Sequence, residues 1–284
     1  MKECVLYKKL KEKKVQCIAC AHRCYIDEGN VGICRVRENI KGRLYLLVYG
    51  KVISKNIDPI EKKPLYRFLP GSFSYSIGTI GCNFKCDFCQ NYDISQLKKI
   101  LGESIKPEEV VEEAIKTGCK SISYTYNEPT IFIEFVKDIA RLAKKKGLKN
   151  VLVTNGYMTK ECLDFIASYI DAMNIDLKSF NNEFYLKICK AKLKPVLETI
   201  KRVYEKGIHL EITTLIIPGE NDSEKEFENI AKFIASIDKN IPWHISRFFP
   251  MYKMEDKEPT SLKILKKAEE IGKKYLKYVY IGNV

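Results

Sequence analysis

The feature that most limits the fold is a regular alternation of strand-like and helical segments from residue 72 onward. The pattern predicts six strand–helix units and a terminal strand. The predicted strands are Phe73–Ile80, Ser121–Tyr126, Asn150–Thr154, Ala172–Leu177, His209–Ile217, Trp243–Phe249 and Tyr278–Ile281. Such alternation is typical of a parallel sheet with right-handed crossovers. Because the number of units approaches the eight of a complete barrel, we expect an α/β protein with a partial (β/α)6 barrel of parallel strands.

Polar residues at the ends of predicted strands favour the barrel over a dinucleotide-binding fold. Asn127-Glu128, Thr154-Asn155 and the pair Asp176 and Lys178 all lie where a predicted strand ends. Barrel enzymes place their chemistry at the carboxyl ends of the strands. No G-x-G-x-x-G motif follows the first strand, which disfavours a Rossmann domain.

Residues 1–70 differ from the remainder and predict a small Cys-rich N-terminal module that precedes the barrel of residues 71–284. Two strand-like stretches, Arg43–Tyr49 and Lys51–Ile57, flank Gly50, and this arrangement predicts a β-hairpin. Prolines then punctuate a non-helical connection to the first barrel strand.

Composition excludes several classes of protein. Hydrophobic residues make up 45% of the 284 residues, enough to bury a sizeable core. No apolar run is long enough to span a membrane, and the N-terminus lacks a signal-peptide core, so we expect a soluble cytoplasmic protein without a membrane partner. The net charge is +13, yet only eight of the 49 basic residues are Arg. Dispersed Lys favours a solvated surface over a nucleic-acid footprint, so RNA is a permitted but disfavoured partner.

The loop after the first predicted strand contains three cysteines spaced C-x3-C-x2-C, namely Cys82, Cys86 and Cys89. Three thiolates can hold three irons of a 4Fe–4S cluster and leave the fourth iron open, as catalysis requires. The alternative is a structural zinc site that borrows a fourth ligand. The chain has three histidines and none lies near this loop, which favours the iron–sulfur interpretation.

A second set of four cysteines lies in the N-terminal module, at Cys17, Cys20, Cys24 and Cys34. Four soft ligands can close a tetrahedral site, so structural zinc and a second 4Fe–4S cluster both fit the spacing. Four unligated thiols are the remaining alternative. The other cysteines stand alone and receive no functional assignment; they are Cys4, Cys119, Cys162 and Cys189.

Several stretches of the chain resemble the radical S-adenosylmethionine superfamily. The triplet has an aromatic residue, Phe88, just before its last cysteine, and the likeness extends over residues 73–252. Within the superfamily, the chain is most similar to proteins resembling the pyruvate formate-lyase activating enzyme, in the AmmeMemoRadiSam group. The stretches that carry this similarity are Asp58–Tyr66, Gly78–Asn91, Tyr126–Thr130 and Ser246–Pro250.

The resemblance implies a role for individual residues. Cys82, Cys86 and Cys89 would ligate the 4Fe–4S cluster that also binds S-adenosylmethionine. The expected S-adenosylmethionine contacts are Asn127, Glu128, Thr154, Asn155, Asp176, Lys178, Leu215 and Tyr252. We expect His209 and His244 to be buried or structural rather than catalytic. An N-terminal acid of a helix is the alternative interpretation of Glu128.

The resemblance also implies an activity. The reduced cluster would cleave S-adenosylmethionine and yield a 5′-deoxyadenosyl radical for hydrogen abstraction, which makes the chain a radical oxidoreductase of activating-enzyme type. A low-potential electron donor and a protein substrate would be its partners. Two alternatives stay open: a radical enzyme that modifies RNA, and a non-catalytic metal-binding scaffold.

Overall fold

The computed structural model describes all residues from Met1 to Val284 and contains sixteen strands and eight α-helices. The strands are β1 (Lys2–Glu3), β2 (Tyr7–Lys9), β3 (Val15–Cys17), β4 (Tyr25–Ile26), β5 (Arg37–Ile40), β6 (Arg43–Leu46), β7 (Lys51–Val52), β8 (Ser54–Pro59), β9 (Phe73–Gly78), β10 (Glu103–Ser104), β11 (Ser121–Tyr124), β12 (Lys149–Thr154), β13 (Ala172–Asp176), β14 (His209–Ile216), β15 (Trp243–Arg247) and β16 (Val279–Gly282). The helices are α1 (Tyr92–Ser95), α2 (Pro107–Lys116), α3 (Ile133–Lys145), α4 (Lys160–Ile166), α5 (Asn182–Phe184), α6 (Leu193–Glu205), α7 (Glu224–Ile237) and α8 (Leu262–Gly272).

The central sheet has eight strands in the order β16-β15-β14-β13-β12-β11-β9-β8. Every neighbouring pair from β9 to β16 is parallel, and only the edge strand β8 runs antiparallel to its neighbour. This order follows the chain, as right-handed strand–helix crossovers produce. The predicted partial (β/α)6 barrel of parallel strands is therefore confirmed, together with its terminal strand.

The longer helices α2, α3, α6, α7 and α8 cover the outer face of the sheet because each has one apolar stripe. In α3, the buried residues Val136, Ile139, Ala140 and Ala143 recur three or four positions apart. The helix ends before Gly147, whose φ of +78° places it in the left-handed region that favours glycine. None of the helices combines the length and the apolar character that crossing a bilayer requires.

The N-terminal residues form two small antiparallel sheets, and the predicted hairpin across Gly50 is wrong. The strand after Gly50, β7, pairs instead with β10, and β6 pairs with β5 through a turn at Lys41-Gly42. The hairpin that does exist in this module joins β5 and β6. Its turn is a two-residue loop, Lys41-Gly42, of the kind whose twist matches that of the paired strands. β8, within the predicted module, joins the central sheet as its edge. The boundary at residue 70 stays a prediction.

The segment that connects β8 to β9 packs into the interior of the open barrel. Ile60 and Leu65 are fully buried against Val151 and Ala172 of β12 and β13. The side-chain amide of Asn174 donates a hydrogen bond of 2.8 Å to the carbonyl of Pro64. This segment therefore fills the part of the barrel that the parallel strands leave open.

A buried ion pair joins the N-terminal module to the barrel. Arg37 on β5 is 1% exposed and Glu134 on α3 is 2% exposed, and the guanidinium contacts both carboxylate oxygens, at 2.5 and 3.1 Å. The guanidinium also donates to the carbonyl of Ile131 at 2.9 Å. Because both charges are fully desolvated, each depends on the other.

We expect Glu134→Gln to lower the free energy of unfolding by about 3–5 kcal/mol, because it leaves the Arg37 charge buried without a counter-charge. Urea denaturation of the purified protein measures the change. The matched control is Glu112→Gln on the exposed face of α2, which should change stability by less than about 0.5 kcal/mol. Equal effects of the two variants would contradict the importance of the pair.

Candidate active site

A cavity of about 640 Å³ opens at the carboxyl ends of the barrel strands. All but one of the residues expected to bind the cluster or S-adenosylmethionine line it. They are Cys82, Cys86, Cys89, Asn127, Glu128, Thr154, Asn155, Asp176, Lys178 and Leu215. The exception is Tyr252, which is absent from the lining and stacks on Tyr92 with ring centroids 4.7 Å apart.

The loop with the cysteine triplet leaves β9 through a sharp turn. Gly81 has a φ of +87°, and a Cβ at this position would lie 2.7 Å from the carbonyl oxygen of Cys34, so only glycine fits. Beyond the turn, Phe84 and Phe88 are buried and anchor the loop between the cysteines. The three thiols consequently face one cavity.

The surroundings of the three thiols favour their neutral form until a metal binds. Burial raises the pKa of Cys82 and Cys89. The pKa of Cys86 is also raised, because its thiol contacts the buried thiol of Cys189 and is itself buried. A bound iron would supply the positive charge that holds thiolates in such an environment.

The side chain of Asn127 holds the start of the cysteine loop in place. Its amide nitrogen donates to the hydroxyl of Thr79 at 3.0 Å and to the carbonyl of Gly81 at 2.9 Å, and its oxygen accepts from the Thr79 backbone nitrogen at 3.2 Å. Asn127 therefore positions the loop, in addition to facing the cavity.

Tyr126 has a backbone conformation that is uncommon for a residue with a side chain. Its φ is +68°, in the left-handed region. The phenol compensates by donating to the carboxylate of Asp58 at 2.7 Å, and it accepts from the side-chain amide of Asn56 at 3.0 Å. The ammonium of Lys63 lies 4.8 Å from the ring centroid. These contacts fix the turn that directs Asn127 and the next residue into the cavity.

Glu128 connects the loops that follow β11 and β12. It is 1% exposed, and burial raises the pKa of its carboxyl. The carboxylate accepts from the backbone nitrogens of Thr130 (3.0 Å) and Asn155 (2.8 Å) and from the hydroxyls of Thr130 (2.5 Å) and Thr154 (2.7 Å). The bond to Thr130 is the helix-cap contact expected of an N-terminal acid, whereas the bonds to the β12 loop show a second, bridging role.

Asp176 is the last residue of β13, and Lys178 follows it two positions later. The two side chains form an ion pair in the cavity. The lysine nitrogen lies 2.9 Å from a carboxylate oxygen of Asp176 and 5.5 Å from the centroid of the Phe88 ring. Burial alone would lower the pKa of Lys178, but the Asp176 carboxylate beside it outweighs burial and raises the pKa well above normal. This ion pair therefore faces the cysteine loop.

The sequence prediction missed one residue beside this cavity, Cys189, and one residue in its lining, Tyr66. Cys189, which had no assigned function, lies against Cys86 at the end of a π-helical turn, Tyr185–Cys189. Its proximity depends on the backbone bond from Lys85 to its carbonyl, for which the sequence carries no signal. The other residue is Tyr66, whose segment had no predicted place inside the barrel.

His244 is buried, as expected of a structural residue, and it also lines the cavity. Its ring nitrogen lies 2.6 Å from Glu211, whose other oxygen lies 2.9 Å from His209. The backbone nitrogens of Tyr66 and Arg67 donate to the same carboxylate at 3.0 and 2.8 Å. Glu211 therefore connects the interior segment to β14 and β15. The only sequence signal for its place in the interior is its two-residue spacing from Thr213 and Leu215, which puts the three residues on one face of β14.

The comparisons with known proteins give the class of this chain. The family model described as Radical SAM superfamily matches residues 76–234, which is more than half of the chain. The chain belongs to the radical SAM superfamily, an enzyme family whose members use a 4Fe–4S cluster and S-adenosylmethionine.

Three curated relatives are similar to this chain over two thirds or more of its length. An uncharacterized protein of Methanocaldococcus jannaschii is 47% identical over 288 residues, covering 100% of this chain and 86% of the relative. A putative glycyl-radical enzyme activating enzyme of the same organism is 32% identical over 71% of this chain and 77% of its own length. The pyruvate formate-lyase 1-activating enzyme of Escherichia coli is 22% identical over 69% of this chain and 86% of its own length.

Solved structures share the fold. A radical SAM methyltransferase of Sphaerobacter thermophilus superposes with a TM-score of 0.60 at 16% identity and covers 76% of this chain and 67% of its own. A domain of a pyruvate-formate lyase-activating enzyme of Bacteroides vulgatus gives a TM-score of 0.51 at 24% identity, covering 57% of this chain and 99% of that domain. These similarities support the partial barrel.

The pKa of Glu211 predicts an acid-dependent loss of stability. Burial raises this pKa, but the hydrogen bonds from His209 and His244 outweigh burial and lower it to about 2. At pH values above 4.5, the ordinary pKa of a Glu side chain, the ionised carboxylate of Glu211 stabilises the fold by about 3 kcal/mol. This contribution is lost as the pH falls toward 2.

We expect the difference in unfolding free energy between the wild type and Glu211→Gln to shrink by about 3 kcal/mol between pH 5.5 and pH 2. Urea denaturation at a series of pH values measures it. The control, Glu270→Gln on the exposed face of α8, should show no such pH dependence. A constant difference for Glu211→Gln would mean that its carboxyl is not ionised in the folded state.

Proposed function

We propose that this chain is a radical S-adenosylmethionine enzyme of the glycyl-radical-enzyme activating type. The observation that carries the proposal is the convergence of the three-cysteine loop and the Asp176–Lys178 ion pair on one cavity. When bound, the cluster and S-adenosylmethionine supply a 5′-deoxyadenosyl radical for hydrogen abstraction. The donor set fits this pair of cofactors, because three thiols hold three irons and leave one corner for the amino acid end of S-adenosylmethionine.

The chain's own residues bind and orient in this proposal. Cys82, Cys86 and Cys89 ligate the cluster. Asp176 accepts hydrogen bonds from ribose hydroxyls, and Lys178 meets the carboxylate of S-adenosylmethionine, since each supplies the complementary charge or acceptor. Glu128 keeps its bridging bonds and orients Thr154 and Asn155 toward the cofactor.

The remaining proposed contacts follow from position. Asn127 fixes the loop and presents backbone groups to the amino end of the cofactor, and Leu215 gives the adenine an apolar surface on β14. Tyr252 lies outside the cavity lining and stacks on Tyr92, so its proposed contact requires its ring to move toward the cavity. A low-potential one-electron donor would reduce the cluster.

The proposed substrate is a glycine residue of a protein partner. This follows from the similarity to a putative glycyl-radical enzyme activating enzyme and to the Escherichia coli enzyme that activates pyruvate formate-lyase. The cavity volume of about 640 Å³ is in the range of sites that hold a single drug-sized ligand. Because the cofactor would take up much of this volume, we propose that the substrate chain enters as a narrow loop beside it.

The first test is cleavage of S-adenosylmethionine. Anaerobic wild-type protein with a reconstituted cluster and dithionite should form 5′-deoxyadenosine, measured by chromatography, and Cys86→Ala should reduce its formation below detection because one iron loses its ligand. The control is Cys119→Ala, which removes a buried thiol outside the cavity and should retain activity. A fully reconstituted wild type that forms none would contradict the proposal.

Asp176→Asn tests the proposed contact with the ribose. Loss of a charged hydrogen-bond acceptor costs about 1.5–3 kcal/mol, so the concentration of S-adenosylmethionine for half-maximal cleavage should rise roughly tenfold or more. Asp164→Asn, on the exposed surface of α4, is the matched control and should leave this concentration unchanged. An unchanged value for Asp176→Asn would place the ribose elsewhere.

The two alternative functions make different predictions. A scaffold without activity would bind the cluster, yet its electron paramagnetic resonance spectrum would not change when S-adenosylmethionine is added. An RNA-modifying enzyme would retain RNA on purification, with binding that weakens steeply as salt increases. Deuterium transfer between a partner protein and the 5′ carbon of the cofactor would support the protein substrate over both.

A further inference from the structure

A buried histidine lines the large cavity and takes no part in the proposed cofactor contacts. His244 on β15 is 4% exposed, yet it belongs to the cavity lining together with Tyr66 and Ser246. The Tyr66 ring meets the imidazole edge-on with ring centroids 4.7 Å apart, and the Tyr280 ring stacks on it at 5.3 Å. These two rings hold the imidazole in one orientation at the cavity wall.

A hydrogen bond to Glu211 determines which ring nitrogen of His244 is free. Nε2 lies 2.6 Å from a carboxylate oxygen of Glu211, which also accepts from the backbone nitrogens of Tyr66 and Arg67. Because an ionised carboxylate can only accept, Nε2 carries a proton, and in a neutral imidazole Nδ1 then carries a lone pair. Nδ1 has no hydrogen-bond partner in the protein and is not enclosed by it, so this acceptor is open to the cavity.

The strand register brings this acceptor next to the proposed cofactor contacts. His244 is paired with Thr213 of β14, and Thr213 is paired with Asp176 of β13, the proposed ribose contact. The three residues form one row across the sheet, and a strand spacing of about 4.8 Å puts the backbones of His244 and Asp176 about 10 Å apart. Ser246 is paired in the same way with Leu215, the proposed adenine contact. A molecule bound at His244 would therefore lie beside the cofactor.

The unpaired groups around His244 match the hydrogen-bonding pattern of a peptide backbone. The side chains of Tyr66 and Ser246 line the cavity, and their hydroxyls have no hydrogen-bond partner within the protein. A hydroxyl can donate to a carbonyl oxygen, whereas Nδ1 of His244 accepts from an N–H. A peptide unit presents one N–H and one carbonyl oxygen, so it satisfies both kinds of group.

Three charged side chains of the segment between β8 and β9 line the same cavity. Lys63 is paired with Asp58 at 2.7 Å, and the Glu61 carboxylate accepts a backbone hydrogen bond of 2.7 Å. Lys62, the third, is exposed to solvent. The free groups beside His244 are uncharged, so a neutral peptide segment suits them better than a charged metabolite.

We propose that His244 binds the substrate by accepting a hydrogen bond at Nδ1 from the backbone N–H of the target glycine. Tyr66 and Ser246 donate to the neighbouring carbonyl oxygens. Glu211 is a positioning residue, because its carboxylate keeps the proton on Nε2 and the lone pair on Nδ1. This inference rests on the proposed function, in which the substrate is a glycine residue of a protein partner.

Calorimetry of the oxidised, reconstituted protein with S-adenosylmethionine tests the contact without turnover. The probe is N-acetylglycine dimethylamide, whose only N–H is that of the glycine, and the matched control is N-acetylsarcosine dimethylamide, which lacks it. Wild type should bind the glycine probe about three- to tenfold more tightly than the control, the factor expected for one hydrogen bond. Equal affinities, or no binding of the glycine probe, would overturn the proposal.

Two variants separate the contact from a structural role of His244. His244→Gln keeps an amide near the place of Nε2 for Glu211 but has no group at the place of Nδ1, so it should lose the preference for the glycine probe. His244→Asn keeps an amide oxygen near the place of Nδ1 and should retain the preference. A preference that survives in His244→Gln would contradict the proposal.

Deuterium transfer checks that the glycine lies beside the cofactor. After reduction with dithionite, wild type should transfer deuterium from the glycine probe, dideuterated at its α carbon, into 5′-deoxyadenosine. At sub-saturating probe, His244→Gln should lower the deuterated fraction about three- to tenfold, measured by mass spectrometry. Undeuterated 5′-deoxyadenosine from the wild type would overturn the inference and leave the cleavage of S-adenosylmethionine standing. A wild type that forms no 5′-deoxyadenosine would contradict the proposed function, and the calorimetric comparison would then decide the inference.

Discussion

The carboxyl edge of the sheet depends on hydrogen bonds that join the end of one strand to the loop after the next. Asn127, after β11, holds the start of the cysteine loop after β9 through three groups of that loop. Glu128 extends the connection to the loop after β12. Parallel strands leave such loops unpaired, so buried polar side chains supply the bonds that the sheet does not. The relative positions of three thiols, an acid and a lysine follow from these few contacts.

The interior of the partial barrel is filled in part by the segment that connects β8 to β9, which lies outside the strand–helix units. Residues 60–67 pack into the interior, and Glu211 accepts two of their backbone hydrogens together with bonds from two histidines. A partial barrel lacks the side-chain layers that fill a closed one. The interior segment replaces them and sets the floor of the cavity, so its sequence affects how much room remains beside the cofactor.

The order of the strands and the cavity edge were predictable from sequence because both follow from local patterns. Alternating periods predicted the strands, and two-residue spacing predicted that Asp176 and Lys178 share one cavity, although β13 ends at Asp176. The predicted hairpin at Gly50 does not form, because its second stretch is divided between β7, which pairs with β10, and β8, which extends the central sheet. The contact of Cys189 with Cys86 depends on a backbone bond across 104 residues of chain, from Lys85 to Cys189, which no local pattern encodes.

The buried ionisable groups of the site lie close together, so the charge of each one affects the others. Buried thiols, a buried carboxyl at Glu128 and a charged Lys178 occupy the same small volume, and burial opposes every one of these charges. Asp176 compensates the lysine, and backbone and hydroxyl donors compensate Glu128. For Cys86 and Cys89, the charge of Lys178 acts against burial without outweighing it, so a bound cationic metal centre would supply the remaining compensation. Burial likewise raises the pKa of Cys20 and Cys34 in the N-terminal module, and the carbonyl of Cys34 packs against Gly81 of the first loop.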